Sequence, residues 1–498
     1  MIPAQAKGFR KPFTPLLGGS TVPKTRPNLL VVFCDQLRRD AIAAFGDPNV
    51  ETPHIDRLAQ NGVSFTNACS SYPICVPFRF TLMTGEYAHS RFVPGIEWRM
   101  SPAERTLADE FNAGGYESIY LGKWHLYGGH ALLPGHSTRK ANLTPVPQVH
   151  QGRWQKWLGF ELRNGHFDTC YYEDDDPTPR PIETYQTDGL FNLAMEYLEA
   201  RTDKDKPFAC VISVEPPHFP YEAPAALEAR WKDRPMSVPP SFDARDQEER
   251  ERFLTLRRLY YAMVENLDMN VGRLQAWLEK TGLAQDTIVV FFSDHGEMGG
   301  CHGIPTLHKQ YPYEESIGIP LIVHDPRYPE RANLRLPTPT CTEDLFPTLL
   351  GLCGLEPANS LPGANLAPLI RNEDAEPDRP GVLLEYVAET RVNSLFHVET
   401  WRGFRSERFK YTVLGDVNGG EPWQFFDLET DPHEMNNLID DPAWEEEIRR
   451  HHGWMRDRMV ETEDLYILKP AWGMEGLNIW DVDVPRIDPA IVSQDLDL

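Results

Sequence analysis

Four short stretches of the chain are apolar at nearly every position: Leu29 to Cys34, Phe208 to Val214, Thr287 to Phe292 and Ile319 to His324. Each is rich in β-branched or aromatic residues, the pattern of a parallel strand buried on both faces. Between them apolar residues recur at helical spacing. Leu190, Ala194 and Leu198 form one stripe over Thr187 to Ala200, and Leu254, Leu259, Met263, Leu267 and Val271 run through Glu248 to Thr281. Cys341 to Leu352 is a further candidate helix with a Pro inside it. Alternation of the two patterns predicts an α/β fold: a large, mixed but mostly parallel sheet sandwiched by helices.

The pattern changes twice. From about His130 to Thr184 the chain is rich in Pro, Asn, Asp and aromatics and has no period, which predicts a lid or insert. Beyond Pro380 short β patterns (Val382 to Val387, Phe409 to Leu414, Trp423 to Leu428) precede a charged helix, Trp444 to Val460. The expected organisation is an N-terminal extension (1–26), a catalytic α/β domain (27–380, with the insert at 130–184), a small C-terminal α+β domain (381–464) and a tail (465–498).

Composition removes whole classes. With 44 Pro and 35 Gly in 498 residues, low-complexity and collagen-like descriptions fail. A formal charge of −25 repels nucleic acid and anionic membrane surfaces, so neither is an expected partner. An anionic substrate would need a site that gathers its own cations. No apolar run approaches a membrane span. The N-terminus has neither an apolar signal core nor a cleavage pattern, so a cytoplasmic location is the default expectation, and export holds if a leader has been removed. Eight Cys without a C-x-x-C pair suggest neither a zinc ribbon nor a redox motif.

Candidate chemistry lies where strands end. Leu29–Cys34 runs into Asp35-Gln36, and Thr287–Phe292 into Ser293-Asp294-His295-Gly296. In open parallel sheets, sites form beyond the carboxyl ends of the strands. Two Asp, a Gln carbonyl and a His converging there suit a divalent cation, and the oxygen majority favours Ca²⁺ or Mg²⁺ over zinc. Taken singly, an Asp after a strand is more often a helix cap or turn former than a ligand. Cys75-Val76-Pro77-Phe78-Arg79 reads either as a buried Cys ahead of a helix beginning at Pro77, or as a thiol activated by that helix terminus and Arg79. Lys123 and His125 share one side of an extended segment after Ile119–Leu121, and His218 comes after Phe208–Val214. Lys309 lies fifteen residues past Asp294. Together these residues supply the local positive charge that an anionic substrate demands.

In order and rough spacing, Asn28–Asp35, Cys75–Gly85, Gly122–His125, Ser293–Gly296 and Lys309 resemble the type I, formylglycine-dependent sulfatases of the alkaline phosphatase superfamily. So do Thr52–Leu58 with Gly62–Ala68, and Phe425–Leu428 with Asp431-Pro432 and Asn437-Leu438. The resemblance runs from Pro27 to about Trp454. It implies the alkaline-phosphatase-like sheet and hydrolysis of a sulfate ester to alcohol and inorganic sulfate. It implies that Cys75 is oxidised to formylglycine by a formylglycine-generating enzyme, directed by Pro77 and Arg79, with the hydrated aldehyde as nucleophile. Asp35, Gln36, Asp294 and His295, with the Cys75-derived hydroxyl, would hold Ca²⁺ (Mg²⁺ or Mn²⁺ being alternatives). Arg79 would neutralise the formylglycine oxyanion. Lys123, His218 and Lys309 would bind sulfate, His218 or Lys309 would protonate the leaving alcohol, and His125 would take the proton that releases sulfate. Gln36 stands where many members have a second Asp, His295 where many have Asn, and Phe78 where a small residue is common.

The alternative within the superfamily is a phosphonate monoester or phosphodiester hydrolase, which can share the Asp-Gln and Asp-His pairs. Lys123 and His125, both cationic candidates, favour a sulfate monoester. A non-catalytic sulfate-binding protein is the reading if Cys75 is never converted. No Gly-x-Ser-x-Gly elbow or phosphate-binding loop supports other hydrolases. Trp98, Arg99, Arg153 and His166 are candidate substrate contacts, since aromatics with Arg suit a sugar bearing anionic groups, and a sulfated small molecule or oligosaccharide is the expected partner. Oligomeric state is not legible.

Overall fold

A computed structural model describes residues 26–476 except 97, 129–143, 164, 372–374, 390–395 and 417. Nearly all of the predicted N-terminal extension, the start of the insert and the end of the tail lie outside these residues.

The large sheet contains β1 (Asn28–Cys34), β2 (Val63–Phe65), β3 (Glu117–Lys123), β4 (Lys156–Phe160), β5 (Thr169–Glu173), β6 (Asp176–Ile182), β7 (Phe208–Val214), β8 (Thr287–Ser293), β9 (Leu321–His324) and β10 (Leu334–Leu336). Their order is β10-β2-β9-β8-β1-β7-β3-β4-β5-β6. The central run from β8 through β1, β7 and β3 to β4 is parallel. Side-chain alternation divides β1 between two cores. Leu29, Val31 and Phe33 pack on one face with the helices Cys75–Thr84 and Thr342–Leu352. Leu30, Val32 and Cys34 pack on the other with Gln186–Ala200 and Gln247–Thr281. Each fully buried Leu, Val or Phe contributes about 1.5–3 kcal/mol of transfer free energy, so this doubly covered strand is a rigid base for the polar residues at its carboxyl end.

Two expectations change. The apolar run Ile319–His324 predicts a parallel strand, but β9 runs antiparallel to both β8 and β2. The chain comes straight back from the rim that carries Lys309, with no helical crossover to return it to the starting edge. The aperiodic insert is not a structureless lid: its described part supplies β4, β5 and β6 and extends the sheet by three strands. Its strand signal is hidden because β6, DPTPRPI, carries three prolines at the sheet's edge.

The second sheet is an antiparallel meander, β11 (Gly381–Tyr386), β12 (Thr400–Ser406), β13 (Phe409–Asp416) and β14 (Gly419–Asp427). Ile448, Met455 and Met459 of the helix Glu445–Glu461 close its core over Leu383, Phe404, Tyr411 and Phe425. Polar clamps tie this sheet to the larger body. Glu314 accepts from Arg39 at 2.7 Å and from Arg405 and Lys410 at 3.3 Å. His89, just past the Cys75 helix, donates from Nδ1 to Glu385 of β11 at 2.6 Å and from Nε2 to the Thr462 carbonyl at 3.0 Å. Both partners only accept, so His89 is an imidazolium, and beside Glu385 its pKa rises to about 9 although burial opposes the charge.

Candidate active site

Strand register decides which residues meet. Cys34 lies opposite Val214 and Ser293, and Gly122 opposite Ser213. Asp35, Glu215, Asp294 and Lys123 therefore emerge at one rim, beyond the carboxyl ends of four parallel strands. Gly122 is required there: its φ is +92°, and a Cβ would stand 2.0 Å from the Ser213 carbonyl oxygen. The helix Cys75–Thr84 points its N-terminus at this rim. Pro77 is the third helical residue, not the first as the sequence suggests. An N–H at that position would have no partner within the helix, so Pro77, which lacks one, loses no bond there; the first intrahelical bond is Phe78 N–H to the Ile74 carbonyl at 3.0 Å.

The Cys75 thiol is the centre of the cluster. It donates to Asp35 Oδ1 at 3.4 Å, lies 3.3 Å from His295 Nε2, and accepts from the Lys309 ammonium at 3.3 Å. Lys123 Nζ bonds Asp35 Oδ2 at 2.7 Å. Arg79, one turn into the helix, reaches Asp35 at 3.2 Å and Asp294 at 3.5 Å, and donates to the Lys123 carbonyl and Ser213 Oγ, both at 2.8 Å. All of these residues are buried. Lone charges would be costly here, and the cluster holds because carboxylates and cations alternate.

Electrostatics reflect this packing. Burial works against the Asp35 carboxylate, but the Lys123 and Lys309 ammoniums hold it well below the usual range. Burial and then Asp35 push Asp294 up. Of the two readings of Cys75, the buried thiol describes the environment better than the activated one: burial and Asp35 push it up to about 11, beyond what Lys309 and Lys123 offset. A neutral thiol is a poor nucleophile near pH 7.

Asp35, Cys75, Asp294 and His295 present ligand atoms all within 4.8 Å of one another. His295 Nδ1 donates to the Gly296 carbonyl at 2.9 Å, which leaves the Nε2 lone pair facing the cluster. Asp294 Oδ2 is buried with no hydrogen-bond partner. A buried carboxylate oxygen that makes no hydrogen bond, with the Arg79 guanidinium 3.5 Å away, beside a neutral imidazole and a second carboxylate, fits a divalent cation. These four groups could hold a metal ion.

His218 is buried, with Nδ1 donating to the Phe219 carbonyl at 2.7 Å, and burial followed by Lys309 holds it in the neutral form. His125 is buried just past β3, its N–H on the Glu161 carbonyl at 2.8 Å.

Comparison with known proteins agrees with this geometry. Residues 27–355 match the family model Sulfatase, and residues 300–462 match the model N-sulphoglucosamine sulphohydrolase, C-terminal. The chain belongs to the sulfatase family. This sulfatase is similar to the ulvan-active sulfatase of Formosa agariphila, 33% identical over 426 residues that cover 84% of this chain and 78% of that protein. Among solved structures it is similar to one from a glycosaminoglycan-metabolism locus of Bacteroides thetaiotaomicron (TM-score 0.75, 25% identity, 88% of this chain and 97% of the other). The phosphonate monoester hydrolase of Agrobacterium radiobacter shares the fold (TM-score 0.66, 23% identity, 91% and 99% covered). The sulfatase is a sulfuric ester hydrolase of alkaline-phosphatase-like fold.

The four substrate-contact candidates are placed differently. Arg153 is pinned by Asp109 (2.6 Å to each carboxylate oxygen) and by the Pro102 and Glu104 carbonyls. Trp98 packs edge-on against Phe80, and Arg99 lies over the Tyr127 ring. None of these contacts reaches the Cys75 cluster. His166 is fully buried and meets the His218 carbonyl through Nε2 at 2.9 Å, so it supports the backbone of a site residue. Three residues of the sulfatase's site escape a reading of the sequence. Ser213 anchors Arg79, Glu215 stands 3.8 Å from Lys123, and Glu297 accepts from Gln36 Nε2 at 2.7 Å. Position holds the only signal: Glu215 comes directly after β7, and Glu297 lies three residues past Asp294.

Proposed function

We propose that this sulfatase acts on a sulfated carbohydrate, with Cys75 matured to formylglycine and a divalent cation held by Asp35, Gln36, Asp294 and His295, Ca²⁺ being the ion that suits an oxygen-rich set. The carrying observation is the convergence of Lys123, Lys309 and Arg79 on a buried Asp35–Cys75 pair in a protein of charge −25. Similarity to an ulvan-active sulfatase supports the substrate class. Hydrated formylglycine would supply the oxygen nucleophile that a thiol at about 11 cannot, and a divalent cation held by these residues would lower the pKa of its hydroxyl.

The other roles belong to the chain's own side chains. Arg79, fixed by Ser213 and the Lys123 carbonyl, neutralises negative charge at position 75. Lys123 and Lys309 bind sulfate oxygens and stabilise the charge that grows during S–O cleavage. His218 Nδ1 is committed to a carbonyl, so Nε2 is its proton-carrying atom toward substrate. The resting site disfavours the imidazolium, and an arriving sulfate anion favours it. His125 receives the proton whose removal frees sulfate. Cys75 and its helix are wholly buried, so a formylglycine-generating partner must act before the chain folds.

The test is a mass measurement on the Cys75 peptide, paired with sulfate release from sulfated mono- and oligosaccharides and an aryl sulfate. Conversion of the –CH₂SH to an aldehyde, with sugars turned over faster, supports the proposal. An unconverted thiol in fully active protein, or equal rates on sugars and aryl sulfate, contradicts it.

A further inference from the structure

We propose that Glu297 is a positioning residue of the cation site, acting through the amide of Gln36; this rests on the reading of Gln36 as a ligand. The Gln36 side chain lies between two groups of opposite demand. Its Nε2 donates to Glu297 Oε2 at 2.7 Å, and its Oε1 accepts from the Lys309 ammonium at 2.9 Å. A carboxylate only accepts and an ammonium only donates. Rotating the amide by half a turn would set oxygen against oxygen at Glu297 and donor against donor at Lys309. The pair therefore fixes which end of Gln36 faces Lys309, whose ammonium in turn lies 3.3 Å from Cys75 Sγ and 3.9 Å from Asp35, and that end is the oxygen. Tyr221 donates its hydroxyl to the same Glu297 oxygen, and Glu297 is buried, so the carboxylate is itself held.

The backbone is fixed as well. Gln36 has a φ of +70°, an uncommon conformation for a residue with a side chain. Its N–H donates to Asp294 Oδ1 at 2.9 Å, and its carbonyl accepts from the Tyr260 hydroxyl at 2.8 Å. An Asp at this position would present oxygen either way round. A Gln presents oxygen or an N–H pair, and the second would repel a cation. Glu297 removes that ambiguity, and through Lys309 the same amide also aims an ammonium at position 75.

The experiment titrates chelator-stripped protein with Ca²⁺ alone in a calorimeter. Parent, Glu297→Gln, Gln36→Glu and the double variant Gln36→Glu/Glu297→Gln are compared, with thermal unfolding of each metal-free form as a folding control. Glu297→Gln keeps the shape but allows either amide orientation at Gln36. Ca²⁺ affinity should fall roughly 10–100-fold, the range for outer-sphere partners of metal ligands, with the metal-free midpoint nearly unmoved. Gln36→Glu sets a second carboxylate against Glu297 and should lower the metal-free midpoint. The double variant exchanges donor and acceptor at unchanged net charge, and should recover affinity to within about tenfold of the parent. Equal affinity in parent and Glu297→Gln overturns the proposal. If Glu297→Gln does not fold, the double variant decides: recovered binding supports positioning, and a folded double variant that binds at least about a hundredfold more weakly than the parent overturns it. A parent that binds no divalent cation overturns the ligand reading itself, and the positioning role with it.

Discussion

His89 offers a worked test of how the small sheet is held against the nucleophile helix. Its ring nitrogens both donate to acceptor-only partners, and its pKa in the folded protein is about 9. In the unfolded chain a His titrates near 6.5. The folded state therefore holds an extra proton between these values, and stability falls as pH rises through that window. At about 1.4 kcal/mol per unit, the contribution lost between pH 7 and pH 10 is about 2.5 kcal/mol. Urea unfolding monitored by tryptophan fluorescence should show this loss in the parent on top of whatever other groups contribute. His89→Gln keeps one donor without the titrating ring, so its stability should depend on pH less steeply by about that amount. At pH 7 the variant should also be the less stable protein. Parallel pH profiles for parent and variant would refute the charged-clamp account.

Three further outcomes concern the site. Cys75→Ala should abolish turnover while thermal stability stays close to that of the parent; residual activity above about 1% contradicts a nucleophile at this position. His218→Ala should slow poor leaving groups far more than good ones if Nε2 protonates the departing alcohol, and a uniform loss in a leaving-group series moves that role to Lys309. Arg153→Ala should leave kcat/KM on sulfated sugars unchanged, since Asp109 and two carbonyls already hold the guanidinium. The lost ion pair is half-exposed and should cost no more than about 1 kcal/mol; a tenfold rise in KM would show that Arg153 meets substrate.

How much of the molecule is legible in its sequence depends on how each feature is encoded. β1, β7 and β8 are legible because burial on both faces leaves almost only apolar residues in them. The long helix Gln247–Thr281 is legible from its stripe, and its start is fixed by Asp246 accepting from Glu249 N–H at 2.8 Å. The direction of β9 is hidden, since apolar content does not say which way a strand runs. β6 is hidden because its prolines read as loop. Asp35, Lys123, Asp294 and His295 are legible because they come at the end of a strand, and Cys75 and Arg79 because they lie in the first turns of a helix, while parallel register carries the strand ends to one rim; Lys309, in the loop after β8, is legible only through the family resemblance. The environment of the Cys75 thiol is not legible: Arg79 and the helix terminus suggest activation, but Asp35, contributed from forty residues away, and burial prevail. Arg153 looks like a substrate contact because sequence shows a side chain's type and not its partner, which here is Asp109.

Sulfate ester hydrolysis at Cys75 is the central claim. The most direct test measures inorganic sulfate and phosphonate release side by side, from a sulfated sugar and an aryl phosphonate ester, with the Cys75→Ala protein as blank. The expected result is sulfate release that exceeds phosphonate ester cleavage in kcat/KM and vanishes in the blank. Cleavage of the phosphonate ester alone, or sulfate release that survives in the blank, would contradict it.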